Sequence, residues 1–223
     1  MTLRPRTLSL RRRLGELAAN CSGIALIEFG IALPVLISFG MFATEVANLT
    51  AVDMQLSEIA LAVGDNASRL GQADNSSVTP TIAETDIDSV MKGAGEAGSS
   101  IKLATNGRVI LTSLEKDTAS SKQYIHWQRC YGALVQTSAF GNDTTKNGLN
   151  GAAITGVNMG KSTLTADTGS AVMIAEVYYK YTGVFGNFFF APFTMRQQAA
   201  FIIRDQRNIS IGLTGTGGTS KCT

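Results

Sequence analysis

The chain has 223 residues, of which 44% are hydrophobic and 16% are charged. This composition excludes a chain that is disordered along its whole length, and a net charge of +2 provides no basic field for nucleic acid. We therefore expect one folded domain with a membrane segment, and no nucleic-acid partner.

The first 23 residues are strongly basic. Five arginines, at positions 4, 6, 11, 12 and 13, stand against the single acidic residue Glu16, which gives a net charge of +4 and leaves −2 for the rest. Because positive residues stay on the cytoplasmic side of a membrane segment, this pattern predicts that the N-terminal side faces the cytoplasm.

Residues 24–43 are a 20-residue apolar run with one charge, Glu28. A helix of about 20 residues crosses the hydrocarbon core of a bilayer, so we predict a transmembrane segment here. A second apolar stretch, residues 185–193, is too short to span. We interpret it as core strand or loop, with the phenylalanines at 188–190 buried. The chain is then expected to cross the membrane once, with its body outside.

The helical pattern continues past the apolar run, through residues 44–70. Apolar residues recur in steps of three and four, which is typical of an amphipathic helix packed on a domain. They are Val46, Leu49, Val52, Leu56, Ile59, Val63, Ala67 and Leu70. We predict one helix over residues 24–70, ended by Gly71.

The body alternates turn signals with strand signals. Residues 72–81 and 136–168 are expected to be loops, and residues 82–92 a helix capped by Thr81 and followed by a flexible glycine-rich connection. Asn106-Gly107 predicts a hairpin turn of type I′ between residues 100–105 and 108–114. Further strands are predicted at residues 124–134, 170–182 and 195–204.

These elements predict an α+β fold, in which a long N-terminal helix covers one face of a small antiparallel sheet of about four to five strands. The expected organisation is a cytoplasmic leader over residues 1–23, a transmembrane segment over 24–43, an amphipathic helix over 44–71 and an extracytoplasmic domain over 72–223.

Three cysteines are present, at Cys21, Cys130 and Cys222. If residues 1–23 are removed, an even pair remains in the outward body, where an oxidising compartment favours a disulfide. We predict a Cys130–Cys222 disulfide; the alternative is two unpaired thiols.

Glu28 is costly inside a membrane helix and calls for a partner. One candidate is the amine that forms if the chain is cut before Ile24. In this respect the sequence resembles type IV prepilins, whose processing site is a glycine, four apolar residues and a glutamate after a basic leader. Here these are Gly23, IALI and Glu28.

The run ALIEF at 25–29, followed by ALP at 32–34, more closely resembles the TadE/TadG-like minor pilins (pseudopilins) of the Tad, or Flp, pilus system. The resemblance covers residues 11–45, with looser matches in WQRC at 127–130, EVYY at 176–179 and Cys222. The chain lacks the long insertion of the larger TadG relatives, so the TadE-like size class is favoured and the body is expected to be pilin-like.

The resemblance implies that a prepilin peptidase of the bacterial inner membrane cuts between Gly23 and Ile24, ahead of Glu28 and Phe29. Glu28 would then align the subunit against the N-terminal amine of its neighbour. The implied partners are other minor and major pilins and the Tad secretion machinery with its ATPase. The implied role is pilus initiation or a place at the tip of the surface pilus, supporting adhesion.

Three residues of the apolar run bear on helix packing. Gly30 and Gly40 provide points of close approach for sibling helices, and Pro34 loosens or kinks the helix because it cannot donate its backbone hydrogen bond. The alternative is the ordinary tolerance of membrane helices for such residues. For Glu28 the alternative is a residue at the membrane edge whose side chain reaches the headgroups.

Two other classes of protein compete with this interpretation. A signal peptide cut before Met41 would give a secreted protein, and an uncleaved leader would give a single-pass anchored protein of unrelated role. For an enzyme the pattern offers little: His126 is the single histidine, no spacing completes a zinc site, and residues 156–162 fall one residue short of a phosphate loop. We predict no catalytic residue, cofactor or metal.

Overall fold

The computed structural model describes residues 10–19, 23–71, 79–143, 148–150, 152–160, 162–204, 207–216 and 218–222. Cys21 and most of the predicted loop at 72–81 lie outside the described residues. The chain divides into two compact units, Met1–Ala47 and Asn48–Thr223.

Apart from the short first strand, the helices precede the strands along the chain. The helices are α1 (Leu10–Ala19), α2 (Ile24–Arg69), α3 (Glu84–Ala97) and α4 (Leu103–Asn106), with one 3-10 turn at Ser99–Ile101. The strands are β1 (Ile82–Ala83), β2 (Gly107–Lys116), β3 (Gln123–Tyr131), β4 (Val157–Met159), β5 (Ser162–Leu164), β6 (Ala171–Tyr181), β7 (Phe193–Ile202) and β8 (Leu213–Thr214).

The long predicted helix is confirmed as α2. It begins at Ile24 and ends at Arg69, and Gly71 follows with a φ of +71°, a left-handed conformation that glycine adopts at little cost. The short helix α1 is not among the predicted elements, because the sequence there indicates only a basic leader.

Four strands form the main sheet in the order β3-β2-β6-β7, and every neighbouring pair is antiparallel. The strands predicted at 124–134, 170–182 and 195–204 are confirmed as β3, β6 and β7, with ends that differ by a few residues. The fold is therefore mixed helix and antiparallel sheet, with a long apolar helix at its N-terminal end.

The amphipathic part of α2 packs on one face of this sheet. From Val52 to Ala67 the predicted stripe is buried in the main core, where Leu56 and Ala67 are fully shielded from solvent, and Leu49 and Leu70 are partly buried against it. The sheet contributes to the same core the buried residues Val109, Leu111, Ala171, Met173, Ala175, Val177, Met195 and Ala199.

The opposite face of the sheet is covered by the segment between β3 and β6. This segment, predicted to be loop throughout, contains the β4–β5 hairpin, and Val157 and Ala166 pack against Leu114 and Ile174. Coverage on both faces explains why Lys180 is the one residue of β6 that is not buried.

The hairpin predicted at Asn106-Gly107 is wrong. Residues before Gly107 form the 3-10 turn and α4, and Gly107 has a φ of −128°, whereas a type I′ turn requires a positive φ there. Leu103 is fully buried in the main core, and β2 pairs with β3 and β6 instead. Burial of Leu103 and the long-range strand pairing outweigh the local turn signal.

The prediction of a helix that begins at residue 82 and is capped by Thr81 is also wrong. Ile82 and Ala83 are extended because β1 pairs with β8, so α3 begins two residues later. The N-terminus is capped by Asp86, whose carboxylate accepts a hydrogen bond from the Ala83 N–H at 2.9 Å. The helix then runs through Gly95, where a flexible connection was expected, because Gly95 packs closely against the ring of Tyr131.

The prediction that the phenylalanines at 188–190 are buried in the core is wrong. Phe188 is 72% exposed, and Phe189 and Phe190 are half-buried. They lie in the connection between the end of β6 and the start of β7, beyond the core that α2 and the sheet enclose.

Candidate functional site: the processing junction, the apolar segment and the tethered tail

The predicted junction lies at the start of α2. Ile24 is the first residue of that helix, and Gly23 precedes it. Peptide groups at a helix N-terminus lack part of their intrahelical hydrogen bonds, so a peptidase can extend them at less cost than groups within the helix. The Ile24 side chain is 52% exposed, which leaves the bond accessible from this side.

Glu28 lies one turn into α2. Residues four apart occupy the same face of a helix, about 6 Å apart along its axis. The side chain of Glu28 is exposed, so its carboxylate is available to a group supplied by another molecule. The positive end of the helix dipole at Ile24 also favours a negative charge nearby, and Glu28 follows directly after the first turn.

The apolar part of α2 presents its side chains outward. An 18-residue window of this helix has a mean hydropathy of 2.1, and none of that window is buried. Leu26 is 74% exposed and Phe39 is 70% exposed. In length and composition this helix is sufficient to cross a membrane, and its exposure is unlike that of a core helix of a soluble domain.

The two glycines of the apolar segment, Gly30 and Gly40, have space around them. A Cβ added at Gly30 or Gly40 would meet no heavy atom within 4 Å. The Gly40 carbonyl accepts a hydrogen bond at 2.9 Å from the hydroxyl of Thr44, and α2 is continuous through Pro34. The small size of Gly30 and Gly40 is therefore not needed for packing within the described part of the first unit.

The two cysteines of the body are joined. A disulfide links Cys130 in β3 to Cys222, 92 residues later in the sequence. Beside it, the Cys130 N–H donates a backbone hydrogen bond to the carbonyl of Ser220. The carboxylate of Asp88 in α3 accepts hydrogen bonds from the backbone N–H groups of Thr219 at 2.9 Å and Ser220 at 3.0 Å. Residues 218–222 are thus tethered to both β3 and α3.

An ion pair supports this tethered tail. Arg129 donates from Nε to a carboxylate oxygen of Glu84 at 2.8 Å, and a second short contact joins the same two groups. The hydrogen bond from Arg129 lowers the pKa of Glu84, against the opposing effect of burial, and the same bond raises the pKa of Arg129. For Asp88, burial acts to raise the pKa, but the hydrogen bonds from Ser220 and Thr219 outweigh it and lower the pKa.

We expect the body to lose stability in acid through Glu84. Its ordinary pKa is 4.5 and the folded value is lower, so its contribution is present above about pH 4.5 and disappears as the pH falls through the folded pKa. Melting temperatures measured between about pH 7 and about pH 3 should therefore fall less steeply in Glu84→Gln than in the wild type. Glu96→Gln, which alters an exposed carboxylate on the same helix, should keep the wild-type profile; equal profiles for all three proteins would contradict the prediction.

A buried acidic site around Glu176 is not among the sites predicted from the sequence. Glu176, in the central strand β6, is fully buried and accepts hydrogen bonds from the Tyr178 hydroxyl at 2.7 Å and the Ala139 N–H at 3.1 Å, while Arg196 lies 3.1 Å away. Burial, and then the bond to Glu176, raises the pKa of Tyr178 to about 12. The sequence EVYY at 176–179 contains a signal for the contact between Glu176 and Tyr178, because residues two apart in a strand share a face.

The lone histidine also has an acidic partner. His126 Nδ1 lies 2.8 Å from a carboxylate oxygen of Glu115, a buried residue of β2. Within the described ranges, no group of three or more His, Cys, Asp or Glu side chains is arranged to hold a metal ion.

Comparison with known proteins adds no assignment. No family model, no curated protein and no solved structure matches the chain. Any functional conclusion therefore depends on the residues themselves: the Gly23–Ile24 junction, the position of Glu28, the exposed apolar helix and the tethered body.

Proposed function

We propose that this chain is a minor pilin (pseudopilin) of the TadE-like class, anchored in the bacterial inner membrane with its body in the periplasm. It is processed by a prepilin peptidase after Gly23 and takes part in assembly of a Tad pilus, at initiation or at the tip, in support of adhesion. A long helix that covers an antiparallel sheet, as in this body, supports the proposal of a pilin-like domain.

One observation carries the proposal: Gly23 precedes the first residue of a long apolar helix, and the exposed carboxylate of Glu28 lies one turn after that residue. An acidic residue is expensive in a membrane helix and is normally retained for a partner or a task. Cleavage before Ile24 creates a positive amine one turn away along the same helix, which supplies the complementary charge. In a filament, the N-terminal amine of the neighbouring subunit provides that positive charge.

The exposed apolar segment supports the transfer from membrane to filament. Its side chains need an apolar environment, which lipid provides before assembly and the helices of sibling subunits provide afterwards. Open glycine surfaces at Gly30 and Gly40 allow close approach of a sibling backbone at two positions. The partners implied are the peptidase, other minor and major pilins, and the secretion machinery that extracts the subunit.

The continuity of α2 disfavours the signal-peptide alternative. Cleavage before Met41 would cut inside an uninterrupted helix, whereas cleavage before Ile24 occurs at its start. The same continuity does not distinguish a processed pilin from an uncleaved anchor, so the N-terminal residue of the mature chain is the deciding observation.

The proposal is tested by mass spectrometry of the chain recovered from the membranes of its own cell. We expect the mature protein to begin at Ile24. Gly23→Val should leave the leader attached, because a branched side chain replaces the glycine that the peptidase is inferred to require. Gly15→Val, in the leader helix α1, is the matched control and should be processed normally. A mature chain that begins at Met41, or a wild-type chain that retains its leader, would overturn the proposal.

A further inference from the structure

The connection between β6 and β7, residues 182–192, carries an exposed aromatic cluster. Phe188 is 72% exposed and Val184 is 55% exposed, and Phe193, at the start of β7, is 41% exposed. The ring of Phe189 contacts the rings of Phe188, with centroids 4.8 Å apart, and Phe185, with centroids 6.1 Å apart. The rings thus form one cluster whose outer surface remains in contact with solvent.

The direction of α2 along the sheet shows at which end of the body this cluster lies. The Asn48 amide donates to the Tyr181 hydroxyl at 3.0 Å, and Tyr181 pairs with Phe193 at the β6–β7 end. Further along the helix, Asp65 accepts a hydrogen bond from Arg204, which follows β7, at 2.7 Å. The helix therefore runs parallel to β7, and the aromatic connection lies at the end of the body where the chain enters at Asn48.

The apolar run ends close to this point in the chain. Asn48 lies five positions after residue 43, the end of the run, and five residue steps span at most about 18 Å even when fully extended. The polar headgroup layer on one side of a bilayer is about 5–7 Å thick. A segment held in the membrane therefore keeps Asn48, and with it the Tyr181 end of the sheet, near the membrane surface.

The chemistry of the connection fits that surface. Interfacial helices bury an apolar face rich in phenylalanine about 5–10 Å into the boundary between headgroups and acyl chains, and this cluster presents the same kind of side chain. Lys180, the exposed residue that precedes the connection by two positions, provides a positive charge for anionic headgroups. An exposed aromatic cluster has no comparable use on a surface that faces only water.

We propose that the aromatic connection 182–192 docks into the interface of the same membrane that holds the apolar segment. The inference rests on the membrane anchoring contained in the proposed function, but not on processing or pilus assembly. It gives the body a second point of attachment to the lipid, in addition to the transmembrane helix.

Tryptophan fluorescence tests this proposal on the full chain. The chain has one tryptophan, Trp127, which is only 6% exposed, so the wild-type protein supplies the blank. Single tryptophans are introduced as Phe188→Trp in the connection, Phe39→Trp in the apolar segment and Ile202→Trp at the far end of β7. Each variant is reconstituted into vesicles of phosphatidylethanolamine and phosphatidylglycerol, with and without brominated acyl chains, and far-UV circular dichroism verifies that it is folded.

The comparison with Phe39→Trp and Ile202→Trp makes the result specific to the aromatic connection. Ile202 is an exposed apolar residue of the same strand as Phe193, about 30 Å from it at about 3.4 Å per residue. We expect Phe188→Trp to shift its emission to the blue and to lose most of it to brominated lipid, as Phe39→Trp does, while Ile202→Trp keeps its emission. A second position, Phe193→Trp, should be quenched less than Phe188→Trp because it is less exposed.

Three results would overturn the inference. Quenching of Phe39→Trp without quenching of Phe188→Trp would leave the membrane anchor intact and remove the interfacial contact. Equal quenching of Phe188→Trp and Ile202→Trp would show adsorption without orientation. Absence of quenching in Phe39→Trp would remove the anchor, and this inference with it.

Discussion

Replacing Glu28 with alanine is expected to abolish assembly into pili while leaving cleavage between Gly23 and Ile24 intact. In the proposed filament, the Glu28 carboxylate faces the N-terminal amine of a neighbouring subunit in an environment without water. Removal of one partner from a buried charge pair costs about 2–5 kcal/mol, which weakens each subunit contact by roughly 30- to 4,000-fold. Filament yield, measured by electron microscopy and by the amount of chain in sheared surface fractions, should fall below detection.

Two variants separate the charge from other effects of this substitution. Glu28→Gln keeps the size and hydrogen-bonding capacity of the side chain but removes its charge, so it should also fail to assemble. Glu58→Ala removes an exposed carboxylate from the same helix, beyond the apolar segment, and should assemble normally. Pili of normal number and length with Glu28→Ala would exclude an assembly role for this residue, and unprocessed Glu28→Ala would indicate that the carboxylate acts at cleavage instead.

Removing the Cys130–Cys222 disulfide is expected to lower the free energy of unfolding of the body by about 4–5 kcal/mol. The estimate follows from the loop entropy of an unfolded chain cross-linked across 92 residues. This is a large part of the total stability of a domain, which is typically about 5–15 kcal/mol. The double variant Cys130→Ala/Cys222→Ala is compared with the wild type by denaturant unfolding, monitored through Trp127, the buried tryptophan of β3.

The chain offers internal controls for this measurement. Addition of a reductant should bring the wild type to the stability of the double variant and should leave the double variant unchanged. Cys21→Ala alters a residue of the predicted leader, so the stability of the processed chain should be unaffected. A loss below about 1 kcal/mol would contradict the entropic estimate and would indicate that the hydrogen bonds of Asp88 to the tail are sufficient.

The sequence predicts best where a pattern repeats over many residues. The spacing from Val46 to Leu70 identifies the amphipathic part of α2, because eight apolar positions agree with one helical face. The density of β-branched and aromatic residues similarly identifies β6. The proposed processing junction is likewise a local pattern, since Gly23 and Glu28 are close together in the chain and require no tertiary contact to be noticed.

Features that depend on distant contacts could not be predicted in this way. The turn signal at Asn106-Gly107 is overridden by the burial of Leu103 and by the partners of β2. The bonds from Thr219 to Asp88 join residues 131 positions apart, and neither residue carries a local signal for the other. Phe188 is exposed because β6 ends before it, outside the core. The apolar sequence around Phe188 does not indicate where the strand ends relative to the core.

The tethered tail imposes an order of events on biogenesis. Cys222 and β8 follow all the strands of the main sheet, yet their partners Cys130 and β1 precede β6 and β7 in the chain. In the export that we propose for the body, its middle would emerge from the membrane well before the residues that lock it. Neither the disulfide nor the β1–β8 pair could then form until the last strand had crossed. Under that proposal, formation of the disulfide would mark the end of translocation, and chains stalled in transit would keep Cys130 reduced.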